Sequence, residues 1–295
     1  MGPSEERWFA WDGVVFPVPA DWELAGYSYR RRAVHLILED PVEVRLELEY
    51  LAEPDARAEK AVRKRYRTWA DQFKAVASRV VPVDGVTPGW HVNQYLMKDG
   101  RSLIAALGMG RPDTELAFFR LHMPADRPGA EGLRLVRRLL AGFTWPSGEQ
   151  SAWRMYDFDI RVPRHFRLRQ TAFWAGRKML RFEYRLRRLF IWHFALASRM
   201  WKEREPEDAI IEFLHKAKEL PGIRVERDTA GCLIIRKKPI HLFGHYEDIG
   251  RGCFRYAWHC QIDEEGDTLA LAVLHYRRAS DLRWLEQVEL GPGDA

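Results

Sequence analysis

The densest set of side chains able to do chemistry lies late in the chain, where His241, His245, Cys253, His259, Cys260 and His275 follow one another. Imidazole and thiolate are the donors that zinc or iron takes, so His241, His245, His259 and His275 form the candidate metal set. Their spacing argues the other way. Pro239 and Gly244 break a helix there, and in an extended segment residues i and i+4 share a face but lie too far apart to hold one small ion. His259 and Cys260, adjacent in a strand-like run, point to opposite faces. Packing histidines and a core thiol are the plainer reading, and no cofactor is expected.

Nucleophilic and nucleotide chemistry leave no signature. The chain has no Walker loop, HExxH, GxSxG or CxxC, and Gly108-Met109-Gly110 is too short for a dinucleotide fingerprint. His122 and His275 close equivalent strand-like segments, yet no partner carboxylate or nucleophile is evident from the sequence beside either.

Charge patterning is more specific. Alternate positions Glu43, Arg45, Glu47 and Glu49 read as the outer face of one strand, mainly acidic. Arg177, Arg181, Arg185 and Arg187 read as the outer face of a second, basic hairpin. Complementary signs suit docking of one unit on another or of one chain on the next, with two ordinary solvated faces as the plain alternative. Where the first strand has Glu47 and Glu49, the ungapped comparison places Ile191 and His193, which implies a strand apolar on both faces and in need of a cover.

These residues must be positioned by the elements around them. The 295 residues are 46% hydrophobic and 30% charged, enough apolar material for a core. The net charge of +5 comes from the second half, a small excess beside the dense basic stripes of nucleic-acid binders. Three cysteines, none in CxxC spacing, read as reduced thiols in a reducing, cytoplasmic compartment. The acidic N-terminus does not read as a secretory signal, and the longest apolar stretch, Leu189 to Ala197, is far below the ~20 residues of a membrane span.

The organising signal is an internal repeat. Phe16-Pro17-Val18-Pro19-Ala20-Asp21-Trp22-Glu23-Leu24 lines up with Ile160-Arg161-Val162-Pro163-Arg164-His165-Phe166-Arg167-Leu168, and the same offset pairs Leu36 with Leu180, Leu48 with Trp192 and Tyr50 with Phe194. Period-two alternation predicts strands at these positions. Helices are predicted over Asp55 to Arg79, Ala130 to Phe143, Pro206 to Leu220 and Ser280 to Val288. The order strands, helix, strands, helix then occurs twice, which predicts an α+β fold: two tandem α/β sandwich units over 1-147 and 148-295, each a mainly antiparallel sheet with packed helices.

Val18-Pro19 followed by Trp22, and Val162-Pro163 followed by Phe166, resemble the opening of PsbP-like domains. That superfamily takes in the photosystem oxygen-evolving extrinsic protein, a Ran-GTPase-binding import factor and bacterial lipoproteins. The resemblance covers most of each half and implies binding or assembly modules with no shared catalytic residues. The functional expectation is therefore a non-catalytic binding or accessory protein acting through a protein partner or as a homo-oligomer. A metal- or small-ligand-binding enzyme with its site in the second unit is the alternative. Nucleic-acid binding through the basic second half ranks third.

Overall fold

In this computed structural model the described residues are 5–30, 33–51, 56–110, 115–125, 129–201, 204–220, 223–227, 233–237, 255–276 and 278–291. The chain groups into two compact units, Met1–Ser147 with Ala152–Asp157, and Gly148–Ser151 with Phe158–Ala295. The short segment Ala152–Asp157 thus belongs with residues well before it in sequence.

The first unit opens with a hairpin, β1 (Glu6–Trp11) and β2 (Val14–Pro19), whose turn Asp12-Gly13 takes positive φ at both residues, the conformation that Asp-Gly favours. The end of β10 (Gln150–Met155) joins this hairpin, pairing Arg154 with Ala10. A seven-stranded antiparallel sheet follows, in the order β3 (Glu23–Arg30), β4 (Ala33–Glu39), β5 (Val44–Leu51), β9 (Leu116–Met123), β8 (Ser102–Met109), β7 (Trp90–Met97), β6 (Ala77–Pro82). Alternation along β5 sets its two faces. Leu46, Leu48 and Tyr50 are buried on the side of the opening hairpin, where the Tyr50 hydroxyl donates to the Trp11 carbonyl at 2.7 Å. The other face meets α1 (Ala56–Val76), whose Tyr66, Trp69 and Phe73 pack on Phe118 and Tyr95 at ring separations of 4.9–6.4 Å. A second helix, α2 (Gly129–Ala141), lies against β2, β8 and β9 through Leu135, Val136, Leu139 and Leu140.

The second unit has a sheet of the same strand order: β12 (Arg167–Trp174), β13 (Arg177–Tyr184), β14 (Arg187–Ala195), β18 (Thr268–Tyr276), β17 (Arg255–Asp263), β16 (Leu233–Lys237), β15 (Ile223–Arg227). One face is covered by α3 (Ser198–Trp201) and α4 (Pro206–Lys216), which opens with Pro206 in its first turn and buries Ile210 and Leu214 against Phe190, Trp192, Leu271 and Val273. On the other face lies β11 (Phe158–Pro163), paired with β19 (Glu289–Leu290).

The α+β expectation is corrected by this arrangement. The described residues are mostly β, 52% strand against 23% helix, in three antiparallel sheets with few helices, and the fold is not the α+β PsbP-like one. Two physical reasons stand out. Part of the covering expected of helices is supplied by strands, as where Phe16 of β2 meets Phe119 of β9 edge to face at 5.7 Å. The helix expected over Ser280 to Val288 is only a 3₁₀ turn, Ala279–Asp281, and a four-residue turn, Arg283–Glu286.

The ungapped comparison also fails at one residue. In β5, Leu38 pairs with Leu46 and Glu39 with Val44, so Arg45 is the extra residue of a bulge. The β13–β14 ladder runs from Tyr184↔Arg187 to Arg177↔Phe194 without a shift. Leu36 faces Leu48 while Leu180 faces Ile191, so Ile191, rather than Trp192, corresponds to Leu48. A slip of one residue exchanges the two faces of a strand, and Phe190 and Trp192 therefore occupy the places of Glu47 and Glu49.

Candidate functional site

Two places concentrate chemically capable side chains. The first is on the α1 side of the first sheet. The bulge at Arg45 sets Glu47 facing α1, directly opposite Arg120 in the β5–β9 ladder. The Glu47 carboxylate accepts from Arg120, from His122 Nε2 at 3.0 Å and from His35 Nε2 at 3.4 Å. Burial works against its ionisation, but the His122 and His35 hydrogen bonds and the Arg120 charge outweigh burial and hold the carboxyl far below the usual carboxylate range. Arg120 also lies over the Trp69 and Phe118 rings, 5.8 and 5.6 Å from their centroids. Neighbouring Glu49 is paired with Arg65 of α1.

His122 lines a cavity of about 720 Å³ at the C-terminal end of α1, together with Phe73, Val76, Met97, Leu103 and Met123. Its volume falls within the ~300–1,000 Å³ usual for small-ligand sites.

The second place is the outer end of the second sheet. Terminal strand β12 finishes in Phe173 and Trp174, 37% and 44% exposed, and the Arg177 guanidinium stacks over the Trp174 ring at 4.3 Å. The Ala195 amide donates to the Gly176 carbonyl at 3.0 Å, which brings Leu196 alongside this turn. Leu196 is 52% exposed and has φ 55°, in the left-handed region that favours glycine. Neither burial nor backbone preference accounts for leucine there. Toward the other end of the hairpin, Arg169, Arg181 and Arg188 all approach the Glu183 carboxylate, at 3.7, 3.7 and 3.3 Å.

The residues singled out from sequence fall as follows. Glu43 is exposed and bonded to Arg45 at 2.5 Å; Arg45 itself is buried and bonded to Asp40. Glu47 and Glu49 do share a face with Arg45, but α1 covers that face and both carboxylates have partners within the unit. Arg177 and Arg181 are half-buried, and Arg185 is exposed over the Tyr184 ring at 5.2 Å. Arg187 is held by Asp281 through two hydrogen bonds of 3.1 and 3.0 Å. Ile191 and His193 are buried at 0% and 5% on the β11 side, where His193 meets the Phe158 ring at 5.8 Å, so neither lies on an outer face.

Of the metal set, His241 and His245 lie outside the described residues. His275 is buried and stacks on Tyr256 at 4.8 Å, while burial pushes the His259 imidazole below its ordinary value. Among the described residues no group of three or more His, Cys, Asp and Glu side chains is arranged to hold a metal ion. Among the tryptophans, Trp8 is 47% exposed, whereas Trp11 and Trp153 are fully buried and meet edge to face at 5.0 Å. Sequence reading passed over Phe173, Trp174, Leu196, His35 and Arg120. An aromatic pair closing a strand that already carries its share of apolar residues was the available signal for the first two.

No helix among the described residues is long and apolar enough to cross a membrane. No protein-family model matches the chain, and no curated protein does. Among solved structures, the apo form of the immunity protein TplEi of the T6SS from Pseudomonas aeruginosa is similar at 10% identity over 97% of this chain and 98% of that one. Its TM-score of 0.35 is too low to carry an argument about fold or function.

Proposed function

We propose that the chain is a non-catalytic binding protein that engages an acidic protein partner through the outer end of the second sheet. The reading is supported by one observation above the others: Trp174 and Leu196 are both exposed at the same end of the sheet, on either side of β13, the leucine in a backbone conformation that costs energy without contributing to the core. Tryptophan and arginine are the residue types that dominate binding hot spots, and Arg177 stacked on Trp174 presents both together. Arg169, Arg181 and Arg188 gather about Glu183 toward the other end of the same hairpin, and guanidinium density of this kind favours a partner of negative surface charge.

The test is affinity capture from the source organism with the wild-type chain, Trp174→Ala and Leu196→Gly, each run at low and high salt, with bound proteins identified by mass spectrometry. The expected result is one acidic protein, retained by the wild type, released by salt and lost from both variants. Self-association lost in the same variants would identify a second copy as the partner. A bound set unchanged by either substitution overturns the proposal.

A further inference from the structure

A second binding capacity lies in the first unit, independent of the partner surface above. We propose that the cavity at the C-terminal end of α1 binds a neutral, mostly apolar small molecule through one hydroxyl, which donates to Nδ1 of His122.

An ionised carboxylate only accepts hydrogen bonds, so the ring nitrogen bonded to Glu47 must carry the proton. Glu47 bonds Nε2 of His122, which fixes the neutral ring as the Nε2–H tautomer and leaves Nδ1 as a lone-pair acceptor. Arg120 and His35 keep that arrangement in place by holding the same carboxylate. A ligand suited to this ring brings a donor.

The rest of the lining describes the ligand's body. Phe73, Val76, Met97, Leu103 and Met123 supply apolar surface. The charged lining residues are two acids and two bases, Glu43 and Asp99 with Lys98 and Arg101. Asp99 and Arg101 are bonded to each other, and Glu43 to Arg45. The four lining charges sum to zero, so the lining as a whole favours a neutral molecule over a carboxylate or an amine. The corresponding face of the second unit is filled instead: Phe190 and Val273 stand where Glu47 and Arg120 stand in the first, packed under α4.

The experiment titrates the full chain at pH 8 with 2-naphthol, naphthalene and 2-naphthoate, which share a body and differ in donating, lacking or only accepting at the head. One site saturable by 2-naphthol is expected, at least about tenfold tighter than for naphthalene, the worth of one hydrogen bond. His122→Phe should abolish that difference while keeping naphthalene binding. Val76→Trp, at a position 58% exposed and so free to change without disturbing the core, should block both ligands. Nitrogen-15 spectra of the unliganded protein should show His122 protonated at Nε2. Equal affinity for 2-naphthol and naphthalene, tighter binding of 2-naphthoate, binding insensitive to Val76→Trp, no saturable binding, or a neutral ring protonated at Nδ1 would each overturn the proposal.

Discussion

Glu47 is the direct cross-strand neighbour of Arg120, and the two side chains are hydrogen-bonded on the face of the first sheet that α1 covers. At the matching point of the second sheet the neighbours are Phe190 and Val273. One scaffold thus solves the same burial problem once with an ion pair and once with hydrocarbon.

Removing one partner of such a pair leaves the other charge desolvated, while replacing both need not cost anything. Glu47→Gln should destabilise the first unit by about 2 kcal/mol, less than the ~3–5 kcal/mol of a fully buried pair, because the Glu47 side chain is 19% exposed. The double replacement Glu47→Phe with Arg120→Val, borrowing the second unit's solution, should recover most of that loss. Denaturant unfolding of the three proteins decides it, and a double variant worse than the single one would show that the charges are needed for more than mutual neutralisation.

Acid should act on the same carboxylate. Its folded pKa lies below the unfolded one, so its contribution is complete above the ordinary glutamate value of ~4.5 and is lost as pH falls from there toward the folded value. Thermal unfolding between pH 6 and pH 3 should show the wild type losing stability faster than Glu47→Gln. Parallel curves would mean that other carboxyls carry the acid response.

The second unit should respond at higher pH. Burial, with the nearby Arg283 and Arg185 charges, lowers the His165 pKa, and burial lowers that of His259. A histidine that resists protonation when folded stabilises the protein above its unfolded value of ~6.5, and that stability is lost as pH falls below it. Amide exchange in β12–β14 and β17–β18 should therefore quicken between pH 7 and pH 5 once corrected for intrinsic rates. His165→Phe with His259→Gln should flatten the response.

Much of this fold was legible because burial writes a period of two into strands. Leu46, Leu48 and Tyr50 are all buried as their alternation requires. Apolar runs likewise underlie β8, Ser102–Met109, and β18, Thr268–Tyr276. What escaped was decided by single residues or by pairing between distant strands. Arg45 enters as a bulge stabilised by Asp40 and Glu43, and no hydrophobic pattern announces an extra residue whose side chain is both charged and buried. The environment of Glu47 depends on β9 lying beside β5, so an acidic strand that read as solvent-facing proves to be neutralised beneath a helix. The second strand's apolar residues were recognised, but the face assigned to Ile191 and His193 was inverted by that one-residue slip.

Leu196 separates a structural role from a binding one. Leucine at φ 55° carries a backbone cost of about 1–2 kcal/mol relative to the right-handed region, and glycine at the same place would escape it at the expense of some extra unfolded-state entropy. With half of the side chain in solvent, little burial is lost in the exchange. Leu196→Gly should accordingly leave the fold as stable as the wild type or raise stability by about 0.5–1 kcal/mol, while weakening capture of the partner at least tenfold. Opposite movement of stability and binding is what a residue retained for contact requires. If Leu196→Gly instead lowers the melting temperature and binding together, the leucine is a packing residue whose loss disturbs the β12–β13 turn, and the partner surface must be sought elsewhere.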